Sequence, residues 1–320
     1  MRRVMLSGCL LLTLAVPVAA QDSWPSRPIK AVVPFGAGSA TDVIPRIVFE
    51  QLQSQLGQSI VVENRGGAGG TIGALQVVKS DPDGYTLLVH SSAHTVAPAL
   101  FPNLAFNAEA DLVPMSMIAS TPNVLIISPS KGIKTIQEFV AFGKANPGKL
   151  NFASLGVGSA VHMSAERFRA AAGYQAVHIP FKGGAEALGE VLTGRVDYYF
   201  CPIATALPHI REGKLLALAV SSKTRAPQLP DVLTTLEAGF PDSDYTLWVG
   251  VLGPVGTPKS VTEKLNAEMK KALEAPALRE KLDKIGVQPM PMSPEEFAAL
   301  VKDEVKIYGD FVRKSGMTMN

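Results

Sequence analysis

Apolar residues recur along this chain in two rhythms. Short runs of four to six apolar residues alternate with longer stretches whose apolar positions fall every three or four residues. IKAVVP at 29–34 reads as a strand. The stretch 41–56 reads as a helix, with Ile44, Ile47, Val48, Leu52 and Leu56 on one stripe. A strand is predicted at 59–62, and GGAGGTIG at 66–73 opens a helix toward Lys79. The turn Asp81-Pro82-Asp83-Gly84 precedes a strand at 85–89. Two separate strands are predicted at 113–119 and 123–128, then a helix over 135–146 closed by Pro147-Gly148. Strands at 150–153, 176–179, 196–200 and 215–220 interleave with helices at 159–172, 184–193 and 204–211. Residues 221–245, rich in Pro, Thr and Asp, read as a connecting stretch. A strand at 247–252 and helices at 258–274 and 293–314 complete the chain. The last helix opens Ser-Pro-Glu-Glu, a capping box with Pro at the first helical position.

Repeated strand–helix units predict an α/β fold with parallel sheets covered on both faces. Ligands on such sheets bind in crevices at the carboxyl ends of strands. Two loops occupy that place and share the run G-x-G-S-A: PFGAGSATD at 34–42 and ASLGVGSAV at 153–161. Each follows a predicted strand and opens a predicted helix. A helix N-terminus has unpaired N–H groups and about half a unit of positive charge. Glycines before it let the backbone approach a ligand closely. The product is an anion site that needs no cationic side chain. The first candidate uses Gly36, Gly38 and Ser39, with Asp42 one turn on. The second uses Ser154, Gly156, Gly158 and Ser159, with His162 one turn in.

The familiar nucleotide motifs do not fit. No run matches G-x4-G-K-[ST]. Thr41 and Val161 stand where a dinucleotide fingerprint needs its third Gly, and in GGAGGTIG that place holds Ile72. Catalytic signatures such as H-E-x-x-H, G-x-S-x-G and C-x-x-C are absent from the sequence. The histidines His90, His94, His162, His178 and His209 show no metal-ligand spacing, and no metal or cofactor is expected. His90 and His94 flank Ser91-Ser92 at a strand end, so a polar loop is predicted there at the same rim. Lys182, in Phe181-Lys182-Gly183-Gly184, is a further candidate to meet an anion. Asp197, at a predicted strand start, reads as structural.

Composition bounds the rest. With 320 residues, 47% of them hydrophobic, the chain is long enough for two domains with sizeable cores. The N-terminus, MRRVMLSGCLLLTLAVPVAAQ, has a basic start, an apolar run and small residues before Gln21. It reads as a signal peptide cleaved after Ala20. Leu6-Ser7-Gly8-Cys9 spells a lipobox, but a lipobox follows its apolar core and here the core follows the cysteine. Cleavage removes Arg2 and Arg3, so the net charge of +2 falls to zero. That leaves no strong field to attract nucleic acid or an anionic membrane. Cys201 alone of the two cysteines remains, so no internal disulfide is expected.

Read together, PFGAGSATD, VVENRGGAGGTIGA, DGYTLLVHSSAH, LNFASLGVGSAVHMSAERF, IPFKGGAEAL, GRVDYYF, IREGKLLALAVSSKTR and WVGVLGPVGTPKSVTEKLN resemble one family. They are similar in order and spacing to the periplasmic substrate-binding proteins of tripartite tricarboxylate transporters, the Bug receptors. The resemblance runs through nearly all of the mature chain. It implies the type II periplasmic-binding-protein fold: two α/β domains, joined by crossing segments, that close on a small carboxylate. The implied units are residues 24–122 with 238–320, and residues 123–237. The implied role is delivery of the ligand to membrane permease subunits, in the periplasm, by a monomer, with no chemical step. A ligand sensor acting on a membrane kinase and an exported enzyme are the alternatives. The resemblance also implies that the loop at Phe35, Gly36, Ala37, Gly38 and Ser39 and the loop at Ser154, Gly156, Val157, Gly158 and Ser159 grip the ligand. They would do so through backbone N–H groups and ordered water. Ser91, Ser92, His94, His162 and Lys182 complete the expected site. This chain departs from the family at Ala37-Gly38-Ser39, where Pro-Gly-Gly is usual, at Gly66, where Pro is usual, and at Cys201-Pro202-Ile203, often more acidic or amidic in relatives.

Overall fold

The computed structural model describes residues 24–317, so the signal peptide and the Cys9 lipobox lie outside the described residues. The chain begins with strand β1 (Ile29–Val33), helix α1 (Ala40–Leu56), β2 (Ile60–Asn64), α2 (Thr71–Val78), β3 (Thr86–Ser91) and α3 (Ala93–Leu100). Strand β4 (Leu112–Ile127) then leads into α4 (Ile136–Ala145), β5 (Leu150–Ser154), α5 (Ala160–Ala172), β6 (Ala176–Pro180), α6 (Gly184–Leu192), β7 (Tyr198–Pro202), α7 (Ile203–Arg211) and β8 (Leu216–Val220). It closes with β9 (Thr246–Pro254), α8 (Lys259–Glu274), α9 (Pro276–Lys284), β10 (Gln288–Pro289) and α10 (Pro294–Ser315).

The strands form one curled sheet in the order β2-β1-β3-β9-β4-β7-β5-β6, with β8 and β10 also on β4. Its two wings are parallel: β1 pairs with β2 and β3, and β5 pairs with β6 and β7. The centre is not, and this corrects the expectation of purely parallel sheets. β9 runs antiparallel to both β3 and β4, and β4 antiparallel to β7. The reason is β4. The two strands predicted at 113–119 and 123–128 are one strand of 16 residues. It pairs with β9 through Pro122 and with β7 from Asn123 onward. One strand thus carries the chain from one half-sheet to the other.

Period-2 alternation covers both faces of each half. In the first half Ala31, Val33, Leu87 and Val89 face a core shared with α1 and α8, whereas Val32 and Leu88 face a core shared with α2 and α10. On that second face Trp248 meets Phe297 edge-on at 5.1 Å. In the second half Val124, Ile126, Tyr199 and Cys201 face α6 and α7, and Leu125, Ile127, Tyr198 and Phe200 face α4 and α5. The capping box of α10 is formed: Ser293 Oγ accepts the Glu296 N–H at 3.1 Å and Glu296 returns the bond at 2.8 Å.

Where the chain crosses between halves, buried Ser221 links both crossings. Its N–H donates to the Asn123 carbonyl at 2.8 Å, and its hydroxyl donates to the Tyr245 carbonyl at 2.6 Å. The connecting stretch 221–245 packs on the second half, with Phe240 edge-on to Phe168 at 5.2 Å. Asp197 is structural, as read from sequence: its carboxylate accepts the Asn151 N–H at 2.8 Å and pairs with Lys131.

Candidate functional site

Each G-x-G-S-A loop runs from a parallel strand into a helix, β1 into α1 and β5 into α5. Both serines are N-caps in extended conformation, Ser39 at φ −72° and Ser159 at φ −62°. Their hydroxyls behave differently. Ser159 donates to the Gly156 carbonyl at 2.7 Å and accepts the His162 N–H at 3.4 Å. Ser39 Oγ is buried and has no partner among the described residues. In the first loop the bracing falls to Asp42, a buried carboxylate. It accepts Gly38 N–H at 3.0 Å, Arg46 Nε at 2.8 Å and Asn64 Nδ2 at 3.0 Å. Gly38 at φ +79° makes that turn possible.

The second loop is braced by imidazoles. Ser154 Oγ accepts the Gly156 N–H at 2.9 Å and shares a hydrogen bond with His178 Nε2 at 2.5 Å. His162 Nδ1 takes the Gly158 N–H at 3.4 Å, and the two rings lie 4.4 Å apart. Burial, then the neighbouring His178 and Arg169, hold His162 down to about 3; burial also lowers His178. His162 therefore stays neutral at working pH and acts as an acceptor for the loop.

The N-termini of α1 and α5 converge. Ser39, Ala40 and Thr41 from one and Ser159, Ala160 and Val161 from the other border a small cavity of about 10 Å³, with Ser91 on its wall. That is about the space of one water-sized probe. The first-turn N–H groups of Ala40, Thr41, Ala160 and Val161 find no acceptor among the described residues. Two helix dipoles and an unpaired hydroxyl thus meet at one point, an arrangement suited to an anion. Phe35 and Leu155 border this cavity and also a cleft of about 820 Å³ beside it. The first half supplies Gly36, Asn64, the glycine loop 66–69 and Phe101 to the cleft. The second half supplies Gly156, Val157, Pro180, Phe181 and Lys182.

Of the residues expected at the site, Phe35, Gly36, Ser39, Ser91, Gly156, Val157, Ser159 and Lys182 border one or both spaces. Gly38, Ser154 and His162 stand behind the loops as braces. Ala37 is exposed, with its carbonyl toward Gly183, and Gly158 at φ +81° turns against Leu100 of the other half. Ser92 and His94 border neither space. The predicted polar loop is the start of helix α3, which turns the His94 ring inward to the Ala108 carbonyl at 2.9 Å. Burial lowers His94 to about 4. Sequence reasoning missed Phe101, because α3 was not read, and missed the wall role of Leu155, Pro180, Phe181 and loop 66–69. The glycine run is legible in the sequence as a helix opening, but nothing local marks it as a cleft wall.

A family model described as the tripartite tricarboxylate transporter family receptor matches residues 44–317. The chain belongs to this receptor family. Protein BugT of Bordetella pertussis is 37% identical over 305 residues, covering 95% of this chain and 93% of that one. The structure of periplasmic binding protein BugD superposes with a TM-score of 0.88 at 33% identity, over 92% of this chain and 99% of the other. MatC from Rhodopseudomonas palustris, solved with bound malate, superposes with a TM-score of 0.86 at 35% identity, over 90% and 100% of the two chains. The type II periplasmic-binding-protein fold is therefore the architecture of this receptor. Among the described residues no helix is long and apolar enough to cross a membrane.

Proposed function

We propose that this receptor captures a small carboxylate between its halves and delivers it to membrane permease subunits of a tripartite tricarboxylate-type transporter. The observation that carries the reading is the meeting of the α1 and α5 N-termini at one small cavity, where Ser39 presents an unpaired hydroxyl. A carboxylate there would take N–H groups of Ala40, Thr41, Ala160 and Val161, and its body would extend past Phe35 and Leu155 into the cleft. Gly36, Ser39, Ser91, Gly156, Val157, Ser159 and Lys182 would border the ligand; Gly38, Ser154, Gly158 and His162 would shape the loops. Malate in MatC, a structural relative, supports the carboxylate class. The moving units would be 24–122 with the C-terminal segment, and 123–237. The change of β4 partners at Pro122/Asn123 supports the first boundary. The packing of Phe240 on Phe168 favours a return crossing nearer Tyr245 than 238. Binding without a chemical step, in the periplasm, by a monomer whose signal peptide ends at Ala20, completes the proposal.

Calorimetric titration with carboxylates, and with alcohols and amines of the same skeletons, tests it. Saturable heat confined to carboxylates is expected. Saturable binding of amines or neutral solutes, with none for any carboxylate, would contradict it.

A further inference from the structure

Helix α5 packs its two faces into different halves. Val161, Ala165, Phe168 and Ala172 enter the cores of the second half, to which the helix belongs by sequence. Ala160 and Met163, one turn apart, enter instead the core of the first half, with Val96 and Leu100. Arg167 continues that stripe one turn further on. The helix whose N-terminus borders the small cavity thus also lies along the seam between the halves.

Two polar anchors tie α5 to the crossings. Ser164 Oγ accepts from Asn123 Nδ2 at 2.7 Å. Arg167 Nε donates to the Asp244 carbonyl at 2.6 Å, and a guanidinium nitrogen lies 3.5 Å from the Asp244 carboxylate. The same guanidinium reaches over α10 of the first half, 5.2 Å from the centre of the Phe311 ring and 5.9 Å from that of Tyr308. Only 11% of the Arg167 side chain is exposed. A cation so enclosed is costly without partners, and aromatic faces attract it most where water is excluded. Asp244 precedes the return crossing, so its contact with α5 stays inside the second half. The rings belong to the first half, and their contact with Arg167 lasts only while the halves stand together.

We infer that Arg167 is a positioning residue: it holds α5 against α10 and so sets how often the loop at 154–159 meets the loop at 35–39. This rests on the reading that the halves move about the crossings near Asn123 and Tyr245, and its test needs no ligand. A Cβ at Gly38 would lie 3.6 Å from that of Ala185 across the seam, within the span of a disulfide. Gly38→Cys with Ala185→Cys, in the full mature chain, gives the parent protein, and glutathione disulfide oxidises it. The strain of a side chain at φ +79° is common to every variant compared, and Cys201 is buried. Added to this parent, Arg167→Leu is expected to slow formation of the cross-seam bond by about threefold or more. Phe311→Leu, at a half-buried site, is expected to slow it likewise while leaving the urea midpoint of the reduced protein nearly unchanged. Should Arg167→Leu fail to fold, Phe311→Leu alone decides. The parent rate in either folded variant would overturn the inference and leave the carboxylate reading standing, since titration with carboxylates decides that separately.

Discussion

Gly36 in the first half and Lys182 in the second meet so closely that a methyl group at Gly36 would run into the Lys182 carbonyl oxygen. The same seam continues at Gly38 and Gly184, where an added Cβ on Gly184 would sit 3.0 Å from the Gly38 carbonyl oxygen. Glycine here permits the two halves to meet. Gly36→Ala should therefore hold the halves apart. Because ligand affinity scales with the population of the closed form, we expect a loss of about tenfold or more in affinity. Small-angle scattering should show a ligand-bound radius of gyration larger than that of the wild type. Wild-type affinity and an unchanged scattering curve would show that the seam does not govern closure.

The two N-cap serines should separate stability from binding. Ser159 makes two hydrogen bonds, so Ser159→Ala should cost about 1 kcal/mol of stability by urea unfolding. Ser39 makes none among the described residues, so Ser39→Ala should leave stability within about 0.5 kcal/mol and weaken ligand binding. Equal destabilisation by both variants would mean that the Ser39 hydroxyl serves the fold.

Glu304 on α10 predicts a pH effect unconnected with the ligand. Trp248 Nε1 donates to its carboxylate at 2.8 Å and the Thr95 hydroxyl lies at 3.0 Å. Burial nevertheless raises it from its ordinary 4.5 to about 7, the two hydrogen bonds only partly opposing the shift. Between pH 4.5 and 7 the folded protein holds a proton that the unfolded chain has released, so stability falls as pH rises through that window. Above pH 7 the whole cost remains; below 4.5 it vanishes. Because part of the residue stays in contact with water, the cost is on the order of 1–2 kcal/mol, below the full shift. Glu304→Gln should raise the urea midpoint at pH 8 and leave it nearly unchanged at pH 4.5. A gain that is the same at both values would point to packing instead.

The loops and the helices they open were legible because local chemistry sets them. A strand, two glycines, a capping serine and an apolar stripe follow one another without a break in sequence, and α1 and α10 appear within a residue of their predicted limits. Strand β4 reads in sequence as two strands, at 113–119 and 123–128; whether a chain turns or passes on at the intervening Pro122 depends on partners far away in sequence. His94 shows the same limit. A histidine beside two serines suggests a polar rim, but α3 turns its ring into the core, and only the Ala108 carbonyl, fourteen residues on, accounts for it. Cleft walls such as Phe101 and Phe181 carry no local signature, since any apolar residue reads first as core.

The most direct test sets an acid against its own methyl ester and primary amide. The claim is that an ionised carboxylate sits at the N-termini of α1 and α5. A matched acid at about 100 times its dissociation constant should stabilise the protein by roughly 2.7 kcal/mol, a rise of several degrees in melting temperature. The ester and amide, which lack the charge, should lose most of that shift. Near-molar salt should change the acid's affinity only slightly, because the donors are N–H groups enclosed between the halves. An ester that stabilises as well as the acid would contradict the account, and an affinity that collapses with salt would move the binding to exposed Lys182.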